Sequence, residues 1–381
     1  MLTQLIYKKC YKSVFRLLLS RYFNLVLKIM KFLLISYIFI ICNIKNIVLF
    51  DLTKLENAGL NSDVFISDIA VYFNRAFLTV PRSTCQNNIT NPTLVEVPWK
   101  EFNTILKVKY NKPIEQQLWA KCDELQNSVS LAKESFKSKL WILDAGNEYC
   151  TPKIMVYNVF HNMFLDEVID LRNIPRKGLN TIIIENSTIP GNHRAFISSP
   201  GFSAILVCDL EKLQCKKIKM VTASNHPKSL MIYSMAFSKT SSDFYFVDKY
   251  TTQVYSADLN NFINWKDKTS INTTFLGQLM GQSSGLETDL KNGLIYYLTR
   301  DYAVVRWIIG TPMAAENHNV LAQSYKRMPY VSRIFTDPQN GIWALVNPFS
   351  PENCNTDLTD LKKLDRVAKI MRYNRLLDTF L

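Results

Sequence analysis

Leu140-Trp-Ile-Leu-Asp-Ala145 is a short apolar run that closes on an acid, too short for a helix of its own. Its length and its aromatic and branched composition mark a buried strand. Five similar runs recur: AFLTVP from Ala76, AFISSP from Ala195, FYFVDK from Phe244, LIYYLT from Leu294 and IWALVN from Ile342. In chain order the six starts lie 64, 55, 49, 50 and 48 residues apart. Each is followed by a second β-rich run: TLVEVP, KIMVYNV, SAILVCDL, TQVYSADL, AVVRWII and AKIMRYN. A strand pair returning about every 50 residues is the pattern of propeller blades, each of which buries its faces only against its neighbours. The sequence therefore predicts an all-β chain with one six-bladed β-propeller domain over residues 47–381. Two β-sandwich domains are the competing architecture, and they do not require such regular spacing.

The chain has 381 residues, 48% hydrophobic and 20% charged, which is too apolar for a disordered protein and too long for a disulfide-stapled miniprotein. Its net charge of +13 is concentrated at one end. Residues 1–45 hold Lys8, Lys9, Lys12, Arg16, Arg21, Lys28, Lys31 and Lys45 and no acid, so the remainder carries 13 − 8 = +5. No basic block or basic-aromatic ladder follows, which argues against nucleic acid as a partner. Met30-Lys31 precedes FLLISYIFIIC (Phe32–Cys42), a basic n-region and an apolar h-region of signal-peptide length. Asn43, Lys45 and Asn46 interrupt the run before it could span a bilayer. We therefore expect a signal peptide over residues 30–46, a basic extension over residues 1–29, and a secreted, extracellular protein with no stable membrane span. The alternatives are an uncleaved anchor, a transit peptide in residues 1–29, or an upstream extension foreign to the gene.

Cys10 and Cys42 fall in the leader, leaving Cys85, Cys122, Cys150, Cys208, Cys215 and Cys354. An even number without CxxC or zinc spacing suits disulfides in an oxidising compartment. A two-residue turn at Glu211-Lys212 places Cys208 opposite Cys215, near disulfide distance across a strand pair. Cys122–Cys150 is a second pairing and Cys85–Cys354 follows by elimination; free buried thiols are the alternative for these two. Glycosylation sequons stand at Asn88, Asn186 and Asn272, whereas Asn91-Pro-Thr is blocked by its proline.

Several stretches resemble the Yellow/major royal jelly protein family of arthropod secreted proteins. They are FLTVPR (Phe77–Arg82), NPTLVEV (Asn91–Val97), LWILDAG (Leu140–Gly146), CTPKIMVYNV (Cys150–Val159), GLETDLKNGLIYYL (Gly285–Leu298), DPQNGIWALVNPF (Asp337–Phe349) and AKIMRYN (Ala368–Asn374). The resemblance implies a six-bladed propeller, in agreement with the repeat. The chain departs from the family at Lys137-Ser138-Lys139, at Asn192-His193 and at Arg306-Trp307-Ile308, where relatives carry cysteines. It is thus similar to a divergent member.

Most catalytic patterns are missing. Gly281-Gln-Ser283-Ser-Gly285 matches the nucleophile-elbow pattern, but that motif needs a strand-to-helix turn, and Ser283 precedes a strand in an all-β context. His161, His193, His226 and His318 have no metal-site spacing, and no phosphate loop, dinucleotide fingerprint or calcium loop is present. We expect no cofactor and no metal. At the end of IWALV, the Asn347 amide both donates and accepts, and Phe349 offers a ring for stacking or a cation–π contact. Salivary relatives bind biogenic amines through a Thr, an Asn and a Phe in the last blade, and Ser332, Asn347 and Phe349 resemble those positions. Asp144, Glu185 and Asp248 end strands and form a second set, read chiefly as turn caps. The expected function is non-catalytic binding of a small ligand such as a biogenic amine in the propeller channel. A dopachrome-conversion-like isomerase and a metal-dependent propeller hydrolase are the alternatives.

Overall fold

Every apolar run singled out above is a strand, and each first run pairs antiparallel with its second. The computed structural model describes residues 60–371 apart from residues 61–63, 83, 86–88, 100–111, 115–116, 135–136, 177, 186–192, 202, 224–227, 249–250, 355–363 and 365. The basic extension, the signal region and the sequons at Asn88 and Asn186 lie outside the described residues. Residues Leu49–Leu381 make one compact unit.

Its strands follow one another as antiparallel groups. The first holds β1 (Asp68–Tyr72), β2 (Arg75–Thr79), β3 (Leu94–Pro98) and β4 (Lys112–Pro113). The second holds β5 (Ser128–Lys133), β6 (Lys139–Asp144), β7 (Lys153–Asn158) and β8 (Met163–Asp170). Then come β9 (Thr181–Ile184), β10 (Arg194–Ser198), β11 (Ile205–Asp209) and β12 (Gln214–Thr222). They are followed by β13 (Ile232–Phe237), β14 (Asp243–Asp248), β15 (Gln253–Asp258) and β16 (Ser270–Gln278). A parallel pairing of β12 with β16 joins these two groups into one eight-stranded sheet. The next group is β17 (Ser283–Thr288), β18 (Gly293–Leu298), β19 (Ala303–Ile308) and β20 (His318–Gln323). The last is β21 (Tyr330–Thr336), β22 (Ile342–Asn347) and β23 (Val367–Met371).

The second strands are apolar on both faces because each group is sandwiched between two others, and alternate side chains serve alternate neighbours. In β6, Leu140 and Ile142 pack with Phe77 and Leu94 of the first group, while Trp141 and Leu143 pack with Ile182 and Ile197 of the third. In β14, Phe244 and Phe246 face Phe196, whereas Tyr245 and Val247 face Leu294 and Tyr296. Between the last group and the first, Trp99 meets Trp343 edge-on with ring centroids 4.9 Å apart.

The first strands line the inside. Each packs beside the next: β1 on β5, β5 on β9, β9 on β13, β13 on β17, β17 on β21, and β21 back on β1. These contacts close a ring. No ladder joins these strands to one another, so polar side chains bridge the seams instead. Ser130 Oγ donates to Asp68 Oδ2 at 2.5 Å and accepts from the Ile182 N–H at 3.1 Å. Asn180 Nδ2 donates to the Tyr233 carbonyl at 2.8 Å, and Thr288 Oγ1 to the Phe237 carbonyl at 2.6 Å. Ser284 Oγ donates to the Val331 carbonyl at 2.5 Å. The ring closes where Ser332 Oγ donates to the Ile66 carbonyl at 2.9 Å.

Candidate functional site

Asn347 ends β22 with its side chain fully buried. Its Oδ1 accepts from the Ile66 N–H at 2.8 Å and from Arg366 Nη2 at 3.0 Å. Its Nδ2 donates to the Ile66 carbonyl at 2.8 Å and to Ser332 Oγ at 2.9 Å. The amide's two donors and two acceptor positions are thereby all occupied by the protein. Phe349, two residues on, is also buried, in a cluster with Phe65 and Tyr330. Its ring lies parallel-displaced from Phe65, with centroids 6.4 Å apart.

Phe349 also lines a cavity of about 320 Å3 with Tyr233, Tyr302, Tyr325, Tyr330, Asp248 and Glu352. Tyr233, Ser283 and Tyr330 place this cavity at the starting ends of β13, β17 and β21. Ser332 lines a neighbouring cavity of about 170 Å3 that shares Tyr233 and Tyr330. The three residues singled out in the sequence therefore meet in one region with different roles: Phe349 and Ser332 face cavities, and Asn347 holds the wall behind them.

Burial pushes the Tyr330 hydroxyl well above the usual tyrosine range, reinforced by the charge of and hydrogen bond with Tyr233. Tyr233 is raised as well, burial outweighing its hydrogen bond to Tyr330. Both phenols stay neutral at physiological pH, so the formal charge on this wall comes from Asp248 and Glu352. Asp248 is held in place by the Met231 N–H at 3.0 Å and Thr251 Oγ1 at 3.1 Å. Neutral aromatic faces beside carboxylates form an environment for a small organic cation. Asp248 stood out in the sequence as a strand-end acid. The tyrosines did not, because Tyr302 and Tyr325 lie in connections with no periodic pattern, and all four converge only through the ring.

The other singled-out residues have structural surroundings. Asp144 is buried and accepts the N–H groups of Gln126, Asn127 and Gly146 at 2.9, 2.7 and 2.9 Å, with Lys153 Nζ at 3.2 Å. Glu185 pairs with Arg194 at 2.6 Å. Ser283 opens β17, and a strand, not a helix, continues from it. His318 Nδ1 lies 2.8 Å from the Ala314 carbonyl. Among the described residues no cluster of three or more His, Cys, Asp or Glu could hold a metal ion. Among them, too, no helix is long and apolar enough to cross a membrane. Disulfides join Cys85 to Cys354, Cys122 to Cys150 and Cys208 to Cys215. Cys208 and Cys215 are direct partners in the β11–β12 register. Asn272 is exposed on β16.

The family model described as major royal jelly protein matches residues 136–362 of this chain. No curated protein sequence matches it. Among solved structures, it is similar to the extracellular domain of a hybrid two-component system from B. thetaiotaomicron, at 9% identity and a TM-score of 0.44, covering 73% of this chain and 31% of that one. The chain thus spans less than a third of that bacterial protein's length. It is also similar to a chain of a nidogen/laminin complex, at 11% identity and a TM-score of 0.42, covering 68% of this chain and 83% of that one.

Proposed function

The chain belongs to the major royal jelly protein family, and from that premise we propose that it is an exported, non-catalytic binder of a small amine. In this reading the closed ring of strand groups is a six-bladed propeller, and residues 30–46 direct export. Asn88, Asn186 and Asn272 carry glycans. The three disulfides and the secreted habit of the family support the extracellular placement. One observation carries the ligand assignment: the cavity beside Phe349 combines an aromatic lining with Asp248 and Glu352. An ammonium group would sit against the rings and face the carboxylates, while Ser332 and Asn347 fix the wall.

Isothermal calorimetry with serotonin, dopamine and histamine tests this reading. Saturable binding to at least one amine is expected. Phe349→Ala should weaken it by about 1 kcal/mol, roughly fivefold, through the lost ring face. Glu352→Gln should weaken it and reduce its sensitivity to salt. Flat titrations with all three amines would refute the proposal.

A further inference from the structure

The ring has a second and larger cavity, of about 1200 Å3, at the end opposite the amine site. It lies where the first strands finish: Tyr72, Lys133, Ile184, Phe237, Glu287 and Thr336 all contribute to its wall, one from each group. Most charges near this wall are paired. Lys239 lies 3.2 Å from Glu287, Arg194 2.6 Å from Glu185, and Arg333 3.4 Å from Asp68. Asp337 accepts the N–H groups of Gln339 and Gly341 at 2.9 and 2.7 Å, and Trp343 Nε1 at 2.9 Å. Lys133 differs. Among the described residues it forms no ion pair, and the one hydrogen bond of its side-chain amine is a 3.5 Å contact to the Val71 carbonyl, at the outer limit for such a bond.

An amine in this setting is disposed to be a nucleophile. Burial drives Lys133 towards its neutral form, and the charge of Lys239 acts in the same direction, outweighing the attraction of Glu287 and Asp337. Desolvation and a cationic neighbour are the two conditions that activate lysine amines toward carbonyl carbon. The surrounding wall is aromatic, with Tyr72, Phe73, Phe237 and Phe335. Phe73 sits at the rim, 63% exposed, in the β1–β2 turn at a φ of 49°. We propose that Lys133 is the covalent anchor of a second ligand site, where it forms an imine with an aromatic aldehyde.

The step balances without an oxidant or reductant. The nitrogen lone pair adds to the carbonyl carbon, and one N–H proton passes to the oxygen to give a carbinolamine. The carbon–oxygen bond then breaks, the hydroxyl leaves as water with the second N–H proton, and the C=N bond forms.

The test is reductive trapping. The folded protein is incubated at neutral pH with 4-hydroxybenzaldehyde and cyanoborohydride, which fixes any imine as a stable secondary amine, and labelled lysines are mapped by mass spectrometry. Lys133 should be labelled several-fold faster than exposed lysines such as Lys212 and Lys326. The advantage should disappear in urea, where the cavity is lost. Lys133→Arg should remove the fast adduct and leave labelling at Lys212 unchanged. Equal rates at Lys133 and the exposed lysines, or a rate advantage that survives unfolding, would overturn the proposal.

Discussion

A primary amide offers two donors and two acceptor positions, and Asn347 fills all of them, two across the seam to Ile66 and two with Ser332 and Arg366 on its own side. Removing it strands the Ile66 N–H, leaves the Ile66 carbonyl with Ser332 Oγ alone, and takes an acceptor from the Arg366 guanidinium. Asn347→Ala should therefore cost about 3 kcal/mol, from several buried groups each worth about 1–3 kcal/mol when left unsatisfied. A lower urea midpoint with an unchanged m-value would show it. A variant of normal stability that has lost only amine affinity would contradict the structural role described for this side chain. At this scale the sequence singled out Asn347 and Phe349 together but not their different surroundings. Asn347 and Phe349 are two residues apart, so alternation alone puts them on one side of a regular strand. Once β22 ends at Asn347, that rule lapses. The partner that decides the matter, Ile66, lies 281 residues away, and no local pattern announces it.

Two turns show how a strand group is closed at its edge. Asp289-Leu-Lys-Asn-Gly293 and Asp337-Pro-Gln-Asn-Gly341 share the pattern Asp-x-x-Asn-Gly, each leading into an apolar second strand. In both, one carboxylate oxygen accepts two backbone N–H groups: Lys291 and Gly293 at 2.7 and 2.8 Å, and Gln339 and Gly341 at 2.9 and 2.7 Å. The asparagines supply the left-handed step, with φ of 55° at Asn292 and 62° at Asn340. Gly293 is required for close approach, since a Cβ there would run into the Arg306 guanidinium and the Asp289 carboxylate. The motif was readable in the sequence as a repeat, and its hydrogen bonds follow from the habit of aspartate in turns. What the sequence could not supply is the second oxygen's partner, Arg306 in one turn and Trp343 in the other.

The Asp289 turn carries a prediction about acid. Burial disfavours its charge, yet hydrogen bonds from Arg306, Gly293 and Lys291 together outweigh burial and hold its carboxyl below the usual range. The unfolded chain then binds the proton more readily than the folded one. The stabilisation is complete above the ordinary aspartate value of about 3.9 and is lost as pH falls through the folded value. Calorimetric melting at a series of pH values should show wild type losing stability in that window. Asp289→Asn should melt lower at neutral pH and lack this part of the acid dependence.

At the scale of the whole molecule, what matters is how the ring is fastened. The repeat in the sequence disclosed the strand pairs and their order, because each carries its own apolar signal. The short inner strands, four to seven residues long and partly polar, had no such signal. They are legible only in the structure, where serine, threonine, asparagine and aspartate side chains bridge their seams. Cys85–Cys354 spans 269 residues and Cys208–Cys215 only 7. In the chain-entropy account, opening the long loop should cost about 3 kcal/mol more than opening the short one. Urea midpoints of Cys354→Ser and Cys215→Ser, each compared with wild type, should differ in that order; equal losses would show that local packing, not chain entropy, governs both.

The long disulfide has a topological consequence as well. It makes everything from Cys85 to Cys354 a covalent circle. A protease that cuts any one loop within that circle does not release a piece; it leaves two chains still joined covalently through the Cys85–Cys354 bond. A single nick there changes how the halves are connected and removes neither of them.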